Sequence, residues 1–370
     1  MGVLIIRREM LDALGLASSA IGLSNPNPSI GCVMVDEAGE IIGLGRTQPT
    51  GGPHAEVMAL RDAAAQGHNV KGATAYVTLE PCCHHGRTGP CCDALIAAGI
   101  KRVVASIADP NPLVSGRGFA RLRAAGIDVE VGTGAAESRE LNIGFFSRMI
   151  RKTPWVRMKV AASLDGQTAL LNGQSQWITG EAARADGHAW RARSCAVLTG
   201  IGTVLADNPR LDVRLVETSR QPHAVIVDSK LEIPLDAHIL IAGRARFIYA
   251  ATQNDAKKSA LEALGVTVIQ MPGEAGKVDL PAMLRDLAKR EVNELHVEAG
   301  HKLNGSFIRE GLVDEFLVYL APKLLGVGQG MASFGPLQSL GEATPLQFLS
   351  TDKVGDDLRV RARVTGRDQF

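Results

Sequence analysis

The chain has 370 residues, of which 45% are hydrophobic and 21% charged, and its formal net charge is +1. This is the composition of an ordinary globular protein with room for two or three domains. The neutral balance provides no basic stripe for a polynucleotide, so no nucleic-acid partner is expected, while small anionic ligands held by a few local arginines remain open.

No apolar run reaches the roughly 18 residues of a membrane helix, and Arg7, Arg8, Glu9 and Asp12 interrupt the first apolar stretch. Neither a signal peptide nor a membrane partner is expected, and the cytoplasm is the expected compartment. Met10, Leu14, Ala17 and Ile21 fall at helical spacing. Residues 30–36 then read as a strand, paired across the Glu37-Ala-Gly39 turn with residues 41–45. A helix over 55–66 follows, then a strand over 73–79, a helix over 91–98 and a strand over 102–107. Segments 118–125 and 129–131 complete the series. Such alternation predicts an α/β domain with a mostly parallel sheet between helices.

Residues 145–155 carry Arg148, Arg151, Lys152 and Pro154 with no helical or strand pattern after Met149. They read as a linker, giving a first domain over 1–147, a linker over 148–154 and a second domain over 155–370. The second α/β series has strands at 155–161, 195–199, 223–228, 246–250, 266–270, 294–298, 315–320 and 357–364. Its clearest helices are at 181–193, 255–264, 280–290 and 304–310.

Four of the six cysteines crowd into positions 82, 83, 91 and 92, a layout suited to metal ligation rather than a disulfide framework. Cys32 and Cys195 lie in apolar strand-like stretches and read as core residues. His54 and one cysteine from each pair supply an imidazole and two thiolates, which hold zinc while leaving a fourth position open. Glu56 stands two residues from His54, near enough to serve that open position as a proton-carrying base and acid. A histidine-x-glutamate followed by proline-cysteine and a second cysteine is the arrangement of zinc deaminases of nucleobases. Spacing alone does not decide between Cys82 and Cys83, or between Cys91 and Cys92. Glu80, at a strand end before Pro81, reads as a structural carboxylate.

In the second half, Gly200-Ile-Gly202 follows a strand, but the third glycine of a dinucleotide fingerprint would fall at Leu205, so a Rossmann domain is rejected. A better-placed turn is Glu298-Ala-Gly300, with Leu303-Asn-Gly-Ser306 expected to open the next helix and to offer backbone N–H groups to a pyrophosphate. The glycines could equally shape a strand-to-helix turn and no more.

The run Thr78-Leu-Glu-Pro-Cys-Cys-His-His-Gly-Arg-Thr-Gly-Pro-Cys-Cys92 resembles the bifunctional deaminase/reductase family of riboflavin biosynthesis (RibD/RibG type). So do Asn25-Pro-Asn-Pro-Ser-Ile-Gly31, Ala162-Ser-Leu-Asp-Gly166, Ser175-Gln-Trp177, Val204-Leu-Ala-Asp-Asn-Pro209 and Val297-Glu-Ala-Gly300. The resemblance implies a cytidine-deaminase-like three-layer α/β/α domain, followed by a dihydrofolate-reductase-like α/β domain that uses NADPH.

It assigns zinc to His54, Cys82 and Cys91 and the acid/base role to Glu56, with Cys83 and Cys92 as packing neighbours. Asn27, in a proline-rich loop, becomes a substrate contact, although a turn-forming role has comparable weight on sequence alone. His84 and Arg87 become substrate phosphate contacts; their other reading is solvated loop residues. Cofactor contacts are implied at Ala161, Trp177, Thr203, Asp207, Ser229, Gly300, His301, Lys302, Leu303, Asn304, Gly305 and Ser306. Substrate contacts are implied at Ser175, Arg191, Leu211, Arg214 and Glu298. The arginines suit phosphate clamping because their forks are permanently charged.

The implied activities are deamination of 2,5-diamino-6-ribosylamino-4(3H)-pyrimidinone 5′-phosphate and NADPH-dependent reduction of its ribosyl group, giving 5-amino-6-ribitylaminouracil 5′-phosphate. The alternative is a zinc deaminase of another nucleobase or nucleotide with a C-terminal binding domain. The family also implies a homo-oligomer, commonly a dimer.

Overall fold

The computed structural model describes residues 6–84, 89–112 and 114–370. The chain divides into two compact units, Met1–Arg151 and Lys152–Phe370. Among the described residues no helix is long and apolar enough to cross a membrane.

The first unit runs α1 (Arg8–Ser19), β1 (Gly31–Val35), β2 (Ile41–Arg46), α2 (Ala55–Ala65), β3 (Thr74–Val77), α3 (Cys91–Ala97), β4 (Arg102–Ala105), α4 (Arg117–Ala124), β5 (Asp128–Val131), α5 (Ala135–Leu141) and α6 (Ile143–Arg151). Among its described residues five strands are ordered β2-β1-β3-β4-β5. The expectation of a mostly parallel sheet holds only for β3, β4 and β5; β1 is antiparallel to both neighbours. The cause is local. Asp36 accepts from the N–H groups of Ala38 and Glu40, which closes a β1–β2 hairpin. The α2 crossover then brings β3 in parallel to β2, and so antiparallel to the β1 between them.

Met10, Ala13, Leu14 and Ala17 form the buried stripe of α1, and they pack with Val33, Val35, Tyr76 and Val104 of the sheet. On β2, Gly43 and Gly45 lack the side chain that would separate strand from helix. A Cβ there would stand 2.4 Å from the Ala59 carbonyl oxygen and 2.0 Å from that of Ala55. Helix α2 therefore lies directly on the strand, and its first turn is fixed in place. The segment expected as a linker is helical as far as Arg151. Helix α6 buries Ile143, Phe145 and Phe146, and the basic residues that suggested a linker complement the negative helix end.

The second unit contains β6 (Trp155–Ser163), β7 (Gln167–Leu170), α7 (Glu181–Arg193), β8 (Ala196–Gly200), α8 (Ile201–Asp207), β9 (His223–Val227), β10 (Arg246–Ala250), α9 (Asp255–Ala263), β11 (Thr267–Gln270), α10 (Leu280–Lys289), β12 (Glu294–Val297), α11 (His301–Arg309), β13 (Glu315–Ala321), β14 (Gly328–Gly330), β15 (Leu346–Val354) and β16 (Asp357–Val364). Nine strands form one sheet in the order β11-β10-β9-β8-β12-β6-β13-β16-β15, and β14 pairs with β7 apart from it. From β11 to β13 the pairing is parallel; β16 and β15 close the edge antiparallel. Alternate strand residues enter two cores, as a pleated strand requires. Ala196, Leu198, Val225, Val227 and Tyr249 join the cluster under α10, while Val197, Ala224, Ile226, Ile248 and Ala250 join the cluster with Leu261.

The centre of this sheet also holds charge. Arg157 on β6 is 1% exposed and lies between two carboxylates, Glu294 at 2.7 Å and Glu315 at 3.0 Å. Arg193 also binds Glu294, and Arg361 and Arg363 bind Glu315. Burial alone would raise the Glu294 carboxyl, but Arg193 and Arg157 hold it at about 2. Its folded value lies below the unfolded one, so it stabilises the unit fully above about pH 4.5 and that contribution disappears as pH falls toward 2.

Two outcomes are expected. In urea unfolding monitored against pH, Arg157→Met flattens the acid limb between about pH 4.5 and 2. Gly45→Ala, whose methyl meets the first residue of α2, costs about 1–3 kcal/mol in the same measurement.

Candidate active sites

Helix α2 begins at its N-cap His54, Cys91 is the first residue of α3, and Cys82 sits in the turn beyond β3. These three chain positions converge. The His54 Nδ1 atom stands 3.6 Å from the Cys82 sulfur and 3.3 Å from the Cys91 sulfur, and the three donor atoms lie within 4.8 Å of one another. Tetrahedral bonds of about 2.0–2.3 Å to zinc need donor separations of about 3.3–3.8 Å. The trio fits that requirement, and one imidazole with two thiolates is a zinc donor set.

The hydrogen bond from Cys91 holds the Cys82 thiol down to about 4, and the same bond, with burial, pushes the Cys91 thiol well up. The Cys91 N–H also donates to the Cys82 sulfur at 3.3 Å. Cys83 is only half-buried, and the buried Cys92 thiol donates to the Pro81 carbonyl at 3.2 Å.

Glu56, in the first turn of α2, is 2% exposed, and its Oε2 atom has no hydrogen-bond partner. Burial, reinforced by the negative Cys82, pushes its carboxyl up to about 7. A buried carboxyl with an unsatisfied oxygen beside an open metal position is equipped to carry protons. Glu80 has a different role. Its two oxygens accept from the backbone N–H groups of Asp109, Gly116, Gly118 and Phe119, which ties the loop after β4 and the first turn of α4 to the Cys82 turn.

Asn27 is half-buried in a loop held from a distance. Asn142 bonds both the N–H and the carbonyl of Ser29, and Thr50 donates to the Asn25 carbonyl. His84 is half-buried with an unpartnered Nδ1. Arg87 lies outside the described residues.

In the second unit, a cavity of about 2340 Å³ opens beyond the carboxyl ends of β8 and β12, where parallel sheets place their ligands. Ala161, Ser175, Trp177, Arg191, Thr203, Asp207, Leu211, Arg214, Ser229, Glu298, Gly300, His301, Lys302, Leu303, Asn304 and Ser306 all line it. Gly305 does not: a Cβ there would stand 1.8 Å from the Ser333 carbonyl oxygen, so this glycine serves close packing. Trp177 is 63% exposed with the Arg184 guanidinium 4.6 Å over its ring, so it is not a core residue.

Helix α11 starts at His301 after the N-cap Gly300, earlier than expected. The backbone N–H groups of its first turn therefore belong to residues 301–303, and Asn304–Ser306 lie one turn on. The glycine turn after β8 stands beside it, with a Cβ on Gly200 3.0 Å from Leu303.

The arginines proposed as phosphate clamps differ. Arg191 is engaged as a fork on Glu298 at 2.5 and 2.9 Å, with a third bond to the Asp212 carbonyl. Arg214 is half-exposed and tied to Asp212 through one nitrogen. Burial would raise the Glu298 carboxyl, but Arg191 and Lys159 hold it well below the carboxylate range.

Sequence reasoning passed over Lys159, which lines the cavity 3.6 Å from Glu298. It also passed over His188, which desolvation together with Arg191 and Arg214 keeps neutral, down to about 4. The available signal was Arg157 and Lys159 alternating with apolar residues inside a buried strand, where cations need a specific reason.

Residues 6–107 match the family described as the cytidine and deoxycytidylate deaminase zinc-binding region, and residues 154–360 match the RibD C-terminal domain. The riboflavin biosynthesis protein RibD of Escherichia coli (strain K12) is 45% identical over 362 residues, covering 94% of this chain and 96% of that one. That of Aquifex aeolicus (strain VF5) is 43% identical, covering 96% and 97%. A solved RibD of Acinetobacter baumannii superposes with a TM-score of 0.87 at 40% identity, covering 96% of this chain and 98% of its own. The diaminohydroxyphosphoribosylaminopyrimidine deaminase/5-amino-6-(5-phosphoribosylamino)uracil reductase of Thermotoga maritima gives 0.85 at 33% identity, covering 96% and 97%.

Metal analysis of purified variants checks the ligand set. His54→Ala, Cys82→Ala and Cys91→Ala should each lose stoichiometric zinc, and Cys83→Ala should keep it.

Proposed function

Because the chain belongs to the RibD family of riboflavin biosynthesis proteins, we propose that it catalyses two consecutive steps on one pyrimidine ribosyl phosphate. The first unit hydrolyses the 2-amino group of 2,5-diamino-6-ribosylamino-4(3H)-pyrimidinone 5′-phosphate. The second reduces the ribosyl group of the product with NADPH, giving 5-amino-6-ribitylaminouracil 5′-phosphate. The observation that carries this reading is the convergence of His54, Cys82 and Cys91 beside the unpartnered carboxylate oxygen of Glu56.

His54, Cys82 and Cys91 would hold zinc, which when bound lowers the pKa of a coordinated water to about 7 and so provides a nucleophile at neutral pH. Glu56 takes one proton from the attacking water and delivers it to the ring nitrogen, then takes the second from the added hydroxyl and delivers it to the departing amine. Water adds at the amine-bearing carbon, the carbon–nitrogen bond breaks, ammonia leaves and a ring carbonyl remains. A carboxyl poised at about 7 can work in both directions without a second group. Asn27 is assigned to the pyrimidine edge, and His84 and Arg87 to the substrate phosphate.

In the second unit NADPH supplies the hydride, so the protein need provide only binding and orientation. The first turn of α11 offers its N–H groups to the cofactor pyrophosphate. Ala161, Trp177, Thr203, Asp207 and Ser229 are assigned to the rest of the cofactor. Ser175, Leu211, Arg214 and Glu298 are assigned to the substrate, with Arg191 acting by fixing Glu298 rather than by gripping phosphate. The enzyme's partners are thus small molecules, and a cytoplasmic homo-oligomer, most simply a dimer, completes the reading.

The test is to incubate the protein with the diaminopyrimidinone phosphate, with and without NADPH, following ammonia and the nicotinamide absorbance. Both signals are expected from the natural protein. Glu56→Gln should lower ammonia release by about 10²–10⁴-fold with zinc retained, while NADPH oxidation on the deaminated substrate continues. Undiminished ammonia release would refute the assignment.

A further inference from the structure

We propose that Cys92 is a positioning residue for the metal centre: it fixes the peptide group on each side of Cys82 and so couples the placement of one sulfur ligand to that of the other. The Cys92 N–H donates to the Cys82 carbonyl at 3.1 Å. Its thiol donates to the Pro81 carbonyl at 3.2 Å, with the Gly118 carbonyl a second acceptor at 3.6 Å. The Pro81 carbonyl belongs to the peptide bond that precedes Cys82, and the Cys82 carbonyl to the one that follows. A single residue thereby anchors both. Because Cys92 is covalently next to Cys91, displacing either sulfur strains the other.

The site needs such a device. Cys82 lies in a turn rather than in a helix or strand, and zinc tolerates errors of only about 0.2 Å in its bond lengths. The first turn of α4 backs the same peptide. Gly118 approaches so closely that a Cβ there would stand 2.1 Å from the Pro81 carbonyl oxygen, and Glu80 holds that turn and the loop before it through four backbone N–H groups. Water is thus kept from a carbonyl on a buried residue, and an acceptor stripped of its donor in such a place is costly. The thiol is chemically suited to this task and needs neither ionisation nor contact with metal.

The inference rests on the zinc-centre reading above. The experiment uses the full chain loaded with zinc, and follows metal transfer to a chromogenic chelator for the natural protein, Cys92→Ala and Cys92→Ser. The alanine variant lacks the donor and should release zinc about tenfold faster or more, the usual effect of losing a group that orients a ligand. Serine restores a donor and should return the rate toward the natural value. Thermal unfolding verifies that each variant is folded. Should alanine prevent folding, Cys92→Val, of similar size and without a donor, replaces it.

Natural release rates in the alanine variant would overturn the proposal, as would a serine variant as fast as alanine. A serine variant unable to bind zinc at all would also overturn it, since Cys92 would then be a ligand. A natural protein that holds no zinc would sink the zinc reading and this inference together.

Discussion

Three donor atoms from distant parts of the chain must meet within a few ångströms, and the first unit is built around that requirement. His54 precedes one helix, Cys91 begins another, and Cys82 follows a strand, so a shift of any element would scatter the ligands. What prevents the shift is close backbone packing. The glycines of β2 let α2 lie against the sheet, and the first turn of α4 presses on the Cys82 turn through Gly118. Hydrogen bonds finish the alignment, with Glu80 and Cys92 tying the turn to its surroundings. The same enclosure desolvates Glu56 and gives its carboxyl an affinity for protons suited to neutral pH.

The second unit solves a different problem with different means. Its ligand space is wide, and its walls come from turns at the carboxyl ends of parallel strands. The sheet beneath carries a row of buried arginines and glutamates across β12, β6, β13 and β16, capped by Trp190, with the Arg157 guanidinium 4.6 Å over its ring. Such pairs add little net stability compared with apolar packing, but they punish any register in which a charge is left alone. At the other end of β12, in the cavity wall, Glu298 is held by Arg191 and Lys159. Fixed charge, rather than a reactive side chain, is what this site presents to its ligands.

Much of this was legible in the sequence because periodicity and chemistry coincided. The alternation of short apolar strands with helices located nearly every strand of both sheets, and the spacing of His54, Glu56 and the two cysteine pairs specified the donor types of the metal site. Adjacent cysteines could not be distinguished by spacing, since the choice depends on which sulfur turns toward His54 and which toward Pro81. Strand β15 was missed because its outer position leaves most of its residues exposed and mixed in polarity. The separate pair β7 and β14 is short, four residues and three, and carries no alternation to read. Helix α6 was hidden because its apolar residues are bunched at the start and its end is basic. Lys159 and His188 were passed over for a related reason: their meaning comes from Glu298 and Arg214, which only the fold brings near.

Each compact unit carries, within its own residues, the described groups assigned to its reaction. Covalent continuity is therefore not what makes either set of atoms converge. What one polypeptide does guarantee is parity: every ribosomal product delivers one hydrolytic centre and one hydride-accepting centre, so neither capacity can outgrow the other through unequal expression.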